Sequence, residues 1–175
     1  MSEIELPRIV KVKALTEDSY VVEADTAERS ALAKRFGVSE IQVLTATLVL
    51  TPEKSDIRAD GTLTAEWTQP CAVAGEDFAN TAEEPLHFRF VPPYAEVSAD
   101  QAEEVLEIDT NDCDEIPYEG GSFDLGEAVA QSFGLLIDPY AAGPNADRAR
   151  KEKGIQVEGE QDGPLAEMLA GLKQS

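Results

Sequence analysis

The sequence of 175 residues predicts an α+β fold: a mainly antiparallel sheet, open or closed into a barrel, with two packed helices and a flexible C-terminal tail. Three observations predict this class. Residues 57–68 alternate between apolar and polar side chains, as in an antiparallel strand with one buried face. Two segments carry signals that start a helix. The order of strand, strand, helix, several strands and helix lacks the strand–helix alternation of a parallel sheet.

The first third of the chain predicts two strands and one helix. Strands are expected at residues 8–15, which alternate, and 19–24, which contain Tyr-Val-Val. Asp25 and Thr26 offer oxygens that can cap a helix over residues 27–36. Gly37 then ends this helix, because glycine readily takes the left-handed conformation at that position.

The middle of the chain predicts three further strands. Residues 39–50 are rich in β-branched residues on one face and leucine on the other, which predicts a strand covered on both faces. A turn at 51–56 leads into the alternating strand 57–68, where Gly61 suggests a bulge. Residues 86–91 form the next predicted strand, with Leu86, Phe88 and Phe90 inward.

A second helix is predicted after an acidic, loop-like region that holds one short strand at 105–108. Asp124 is placed to cap it, and Glu127 follows three residues later, as in a capping box. Four apolar residues repeat at helical spacing and form one face: Leu125, Val129, Phe133 and Leu136. The helix ends before Pro139.

The domain prediction divides the chain at residue 140. Residues 1–140 form a single globular domain, and residues 141–175 form a flexible tail because 141–163 contains almost no apolar residues. A short amphipathic helix is expected at 164–173. That helix either docks onto its own domain or serves as a binding motif for a partner.

The charge of the chain bounds its function. Fourteen Lys and Arg face thirty-five Asp and Glu, giving a net charge of −21. A general nucleic-acid clamp needs the opposite sign. The same charge attracts a basic protein and speeds the encounter, or it serves solubility alone.

Negative charge is concentrated between residues 76 and 127, where sixteen acidic residues accompany one basic residue, Arg89. Crowded like charges cost stability, so we interpret this stretch as a docking surface for a cationic protein segment. The alternative is a solvated loop. The residues predicted to bind the partner are Glu103, Glu104, Glu107, Asp109, Asp112, Asp114 and Glu115.

Side chains that carry chemistry are sparse. His87 is predicted to face solvent, with no nucleophile or orienting partner nearby. Cys71 follows a proline in the predicted break 69–75, where exposure is expected and the surrounding acids should raise the pKa of its thiol. The cysteines and the histidine lack the paired spacing of a zinc site, and the acidic run 109–120 fails the EF-hand pattern. We therefore predict no catalytic residue, no metal site and no cofactor.

Several segments of the chain resemble a known family when they are taken in order. The segments are 67–73 (WTQPCAV), 86–90 (LHFRF), 114–116 (DEI), 121–127 (GSFDLGE), 136–140 (LIDPY) and 164–173 (PLAEMLAGLK). Together they resemble the YceD-like family, the large ribosomal RNA subunit accumulation proteins of bacteria and plastids, and the resemblance spans most of the chain.

The resemblance implies a non-enzymatic factor that is needed for normal levels of large-subunit ribosomal RNA. Many members carry a C-x-x-C-like pair in the central strand region. Here Cys71 matches its first position and Ala74 occupies the second, so the pair is incomplete.

Charge and resemblance together predict a cytoplasmic factor for ribosome assembly. Its acidic surface would bind a basic ribosomal protein or an assembly intermediate of the large subunit, and ribosomal RNA only indirectly. No membrane contact is expected, because the chain lacks an apolar run of about 20 residues.

Two other classes of function stay open at this point. A small metal-dependent enzyme would use the acidic cluster. A direct RNA-binding module would use the few basic residues that are grouped in sequence: Lys11, Lys13, Arg148, Arg150, Lys151 and Lys153.

Overall fold

The computed structural model describes residues 4–16, 19–54, 56–92 and 114–155. The chain divides into two compact units. The larger unit comprises Met1–Gln69 and Ala79–Asp138, and the smaller unit comprises Pro70–Phe78 and Pro139–Ser175.

Seven strands and three α-helices are present in the described residues. A short strand, β1 (Ile9–Lys11), is followed by one turn of 3₁₀ helix at Val12–Ala14. The other strands are β2 (Ser19–Glu23), β3 (Glu40–Glu53), β4 (Asp56–Pro70), β5 (Asp77–Val91), β6 (Asp114–Pro117) and β7 (Ser122–Asp124). The helices are α1 (Thr26–Phe36), α2 (Leu125–Leu136) and α3 (Ala146–Glu152).

Five of the strands form one sheet in the order β2-β3-β4-β5-β6, and β1 pairs with β7 in a second, two-stranded sheet. β3 is antiparallel to both β2 and β4, whereas β6 runs parallel to β5. The large sheet is open, with β2 and β6 at its edges in the described part of the chain. This arrangement confirms the predicted α+β class. In the described residues the sheet is open and does not close into a barrel.

Both predicted helices form where their capping signals place them. Asp25 caps α1 and forms a complete capping box with Glu28, and Gly37 ends the helix at φ 69°. Asp124 caps α2 through the backbone N–H groups of Gly126 and Glu127. The second capping box is not closed by Glu127, whose carboxylate contacts Arg35 instead.

One face of the large sheet carries the core. The inward residues predicted for β4 are all buried: Ile57, Ala59, Leu63, Ala65 and Trp67. From α2, Phe133 packs edge to face against Trp67 and Phe36, with ring centroids 5.5 and 5.6 Å apart. Aromatic pairs in this geometry add stability beyond the apolar area that they bury.

The prediction that β3 is covered on both faces is wrong. A bulge between Ile41 and Val43 shifts the register, so that Ile41 points inward with Leu44 while Val43 lies on the outer face. On that outer face Val49 remains 46% exposed. The sheet therefore buries one face, and the bulge lies at Gln42 rather than at Gly61.

Several strand boundaries differ from the predicted ones. β3 continues to Glu53 through most of the predicted turn, and β5 begins at Asp77, nine residues before the predicted start at Leu86. β6 and β7 lie in a region predicted as loop. The predicted strand 105–108 lies outside the described residues.

The smaller unit contains α3, within a segment that the sequence predicted to be a flexible tail. Ala146 and Ala149 of this helix are buried. The Ala72 N–H donates to the Ala141 oxygen and the Asn145 amide donates to Glu76 Oε2, so the turn 71–76 and the segment after Pro139 fold together. The predicted helix at 164–173 lies outside the described residues.

Candidate functional site

The predicted docking residues fall into two groups. Glu103, Glu104, Glu107, Asp109 and Asp112 lie outside the described residues. Asp114 and Glu115 are the first two residues of β6, and both are exposed. β6 is an edge strand paired only with β5 in the described sheet, so these two carboxylates lie at the border of the sheet.

Three further carboxylates extend this border. Glu83 and Glu84 are exposed on β5, and Glu119 is exposed in the turn after β6. We call Glu83, Glu84, Asp114, Glu115 and Glu119 the acidic edge. The prediction omitted Glu83, Glu84 and Glu119 because it placed neither β6 nor the first half of β5. Their signal was the wider acidic stretch, which contains all three.

Only one basic side chain is found beside the acidic edge in the described residues. Arg89 Nε on β5 donates to Asp56 Oδ2 at 3.0 Å, and Arg89 Nη1 lies 3.8 Å from Glu115 Oε1. Asp56 thus takes the closer contact with this guanidinium. The remaining carboxylates of the edge have no basic partner among the described residues, so the edge keeps most of its negative charge.

Two other arginines near α1 and α2, Arg8 and Arg35, are also bound to carboxylates of their own unit. Arg8 reaches Glu28 at 2.7 Å, and Arg35 reaches Glu127 at 2.7 Å and Glu5 at 2.9 Å. The hydrogen bond from Arg8 lowers the pKa of the Glu28 carboxyl, against a smaller opposing effect of burial. The hydrogen bond from Arg35 lowers the pKa of Glu127 in the same way.

His87 is exposed, as predicted, but it does have an orienting partner, which corrects the sequence interpretation. Its Nδ1 lies 2.8 Å from Asp60 Oδ1, and Arg58 holds the other oxygen of Asp60 at 2.7 Å. Burial of Asp60 tends to raise its pKa, but the hydrogen bonds from His87 and Arg58 outweigh burial and lower it. The arrangement is a small hydrogen-bond network on the outer face of the sheet, and it contains the Arg58–Asp60 ion pair.

Cys71 differs from the prediction in both its exposure and its chemistry. The residue is 4% exposed, and its Sγ accepts three backbone N–H groups, from Val73 at 3.4 Å, Ala74 at 3.2 Å and Gly143 at 3.3 Å. The N–H group of Ala74 has the largest effect, and together these donors lower the pKa of the thiol despite burial. The nearby acids were expected to raise this pKa, but backbone dipoles decide its direction.

Three of the six basic residues proposed for RNA binding are engaged within the protein. In the smaller unit Arg148 lies 3.4 Å from Glu76, Arg150 lies 2.8 Å from Asp147, and Lys153 donates to the Val73 oxygen at 3.1 Å. Lys11 and Lys13 are exposed in the larger unit. The described residues 70–78 and 139–155 contain four basic and four acidic side chains, so the smaller unit presents no net positive charge there.

The described residues contain neither a candidate metal site nor a helix suited to cross a membrane. No three histidine, cysteine or carboxylate side chains come together there as a candidate metal site. Nor does any helix in those ranges combine the length and apolar character needed to cross a membrane.

Fold and charge together define this chain as an α+β domain with an acidic sheet edge. No protein-family model, curated protein or solved structure matches it.

Proposed function

We propose that this protein is a non-enzymatic assembly factor whose acidic edge binds a basic protein of the large ribosomal subunit, or an intermediate that contains one. Such binding would support accumulation of large-subunit ribosomal RNA. The ribosomal context comes from the resemblance to the YceD-like family, and the mode of binding comes from charge.

One observation carries the proposal. Five exposed carboxylates lie along β5, β6 and the turn that follows, and the single arginine beside them is bound more closely to Asp56. Complementary charge of this kind selects partners and speeds their association. Ribosomal proteins are basic because they bind RNA, so their exposed segments match such an edge.

The charges of the described residues favour a protein partner over direct RNA binding. Phosphate binding needs cations that are free to displace counterions. Arg8, Arg35 and Arg58 are already paired with carboxylates of the larger unit, as are Arg148 and Arg150 in the smaller one. Breaking these pairs would offset part of any gain from phosphate contacts.

The test is a native pull-down at physiological salt, with and without nuclease. The edge variant carries Glu84→Gln, Asp114→Asn and Glu115→Gln. A matched control carries Glu23→Gln, Glu53→Gln and Glu66→Gln, three exposed carboxylates outside the edge with the same total charge. We expect basic ribosomal proteins to remain bound to the wild type and the control after nuclease treatment, and to be lost from the edge variant.

Two outcomes would contradict the proposal. Complete loss of all ribosomal material after nuclease treatment would identify RNA as the contact. Equal recovery by the edge variant and the control would assign the negative charge to solubility.

A further inference from the structure

A small cavity adjoins the acidic edge in the larger unit. It lies between the end of β6, the turn and strand β7 that follow, and the first half of α2, and its volume is about 250 Å³. Pockets that enclose a drug-sized ligand run to roughly 300–1,000 Å³. The cavity is therefore suited to a single side chain rather than to a cofactor.

The wall of this cavity has two chemical characters. Ile116, Tyr118, Phe123 and Ala128 supply an apolar surface, while Glu119 and Glu127 add carboxylates. The Glu127 carboxylate is compensated by the bidentate contact with Arg35. Glu119 has no basic partner among the described residues, so its charge remains available.

Asp124 also lines the cavity, but its carboxylate serves the fold. Its Oδ1 accepts the N–H groups of Arg8 at 2.9 Å, Gly126 at 3.0 Å and Glu127 at 3.2 Å. Its Oδ2 is buried and has no hydrogen-bond partner among the described residues. Because this oxygen is closed to solvent, a ligand in the cavity cannot reach it, and Asp124 contributes to the site as the cap of α2.

We propose that this cavity receives a lysine or arginine side chain of the basic partner. This proposal rests on the function proposed above. The aliphatic stem of such a side chain packs on the apolar wall while its charged head meets carboxylate oxygen. The cation would approach Glu119, whose carboxylate is exposed. The acidic edge then attracts the partner, and the cavity holds one of its residues.

The probe for the test is a fluorescein-labelled octalysine peptide, with binding followed by fluorescence anisotropy at low and at physiological salt. Asp124 is left unchanged because it caps α2. Glu119→Gln removes the free carboxylate of the cavity, and Glu66→Gln removes one exposed carboxylate from the outer sheet face as the matched control. Gln131→Lys places an ammonium at the cavity wall, and Leu135→Lys adds the same charge to α2 at a residue that is 82% exposed.

We expect Glu119→Gln to weaken octalysine binding at least about fivefold, since a hydrogen bond to a charged group is lost, and Glu66→Gln by less than about twofold. Gln131→Lys should likewise weaken binding more than Leu135→Lys. Amide shifts of Glu119 and Ser122 in ¹⁵N–¹H spectra should follow the titration.

The possible failures separate the two proposals. If the wild type binds octalysine but each cavity variant equals its control, the cavity is not the receptor and the acidic edge stands. If the wild type fails to bind at low salt, both proposals are overturned. If binding depends on Glu84, Asp114 and Glu115 but not on Glu119, only the cavity proposal fails.

Discussion

At the scale of single residues, Gly61 shows how a missing side chain sets the distance between two strands. It lies opposite Leu48 in the β3–β4 pair. A Cβ at this position would overlap the Thr47 oxygen and lie 2.8 Å from Leu48 Cα. The close approach of β3 therefore requires glycine, although the backbone there is not left-handed.

Gly61→Ala should lower the free energy of unfolding by about 2–3 kcal/mol, because the strands must separate to admit the methyl group. Chemical denaturation monitored by the fluorescence of Trp67 measures the change. Thr62→Ala, on the exposed face of the same strand, is the control and should stay within about 0.5 kcal/mol of the wild type. An effect of Gly61→Ala no larger than this would show that the strands accommodate the methyl group.

Cys71 supports the smaller unit through its sulfur rather than through reactivity. Cys71→Ala removes the acceptor of three backbone N–H groups, and buried donors without a partner are unfavourable. We expect the amides of Ala74 and Gly143 to exchange with solvent faster in this variant, while amides of β3 and β4 keep the wild-type rate. Unchanged exchange at Ala74 and Gly143 would show that water replaces the sulfur without loss.

At the scale of secondary-structure elements, the local signals that predicted the two helices are the same contacts that stabilise them. Asp25 and Asp124 both accept backbone N–H groups at a helix start. Asp124 also accepts the N–H of Arg8, from the residue that precedes β1. One cap is thus local, and the other joins distant parts of the chain.

Asp25→Ala should cost about 1 kcal/mol of unfolding free energy, the usual value for a lost helix cap. Asp124→Ala should cost more, at least about 2 kcal/mol, because it leaves three donors without an acceptor. Urea denaturation measures both values, and Asp25→Ser and Asp124→Ser are expected to recover part of the loss. Equal effects of the two alanine variants would mean that the Arg8 contact contributes nothing.

Sequence patterns predicted the elements whose signals are local. Alternation placed β4, and a capping residue followed by apolar spacing placed α1 and α2. The bulge at Gln42 was not predictable, because its neighbours read equally well as a continuous alternation. The start of β5 was missed because its residues are mostly polar and include Pro85.

The sequence indicated an acidic docking surface but not where in the fold its residues lie. Asp114 and Glu115 were named, but their location at a sheet edge depends on pairing with β5, which is a tertiary contact. The buried state of Cys71 likewise depends on Gly143, a residue 72 positions away. Contacts of this length leave no periodic signal in the sequence.

At the scale of the whole molecule, carboxylates exceed basic residues by 35 to 14. Internal ion pairs hold most of the arginines, so much of the excess negative charge is left to repel itself. Screening by salt should weaken this repulsion more than it weakens the few short ion pairs.

Raising NaCl from about 20 mM to about 500 mM should therefore raise the melting temperature, followed by circular dichroism. An uncharged osmolyte at matched osmolality is the control for general solvent effects. A melting temperature that falls with salt would show that the ion pairs outweigh the repulsion.

Glu127 gives the stability a pH dependence of known sign. The hydrogen bond from Arg35 holds the pKa of the Glu127 carboxyl below its ordinary value in the folded protein. The stabilisation is therefore complete above the unfolded pKa and is lost as pH falls through the folded pKa. Glu127→Gln should cost about 0.5–1 kcal/mol at about pH 7, allowing for partial exposure of the pair, and progressively less as the pH falls through the folded pKa.

Urea denaturation at several pH values measures this difference, with Glu66→Gln as the control that lacks a described basic partner. A cost of Glu127→Gln that is the same at both ends of the pH range would show that hydrogen bonding, not charge, holds the pair.

The pairing of β1 with β7 has a consequence for the order of events during synthesis. The Arg8 N–H finds its acceptor on Asp124, 116 residues later. While the chain elongates, β2, β3 and β4 can pair as soon as each has emerged, since they are neighbours in sequence. β1 must wait until Phe123 and Asp124 have left the exit tunnel, because contacts of long sequence separation form slowly and late. A nascent chain halted before residue 122 would therefore expose an unpaired N-terminal strand to whatever binds chains at the tunnel mouth.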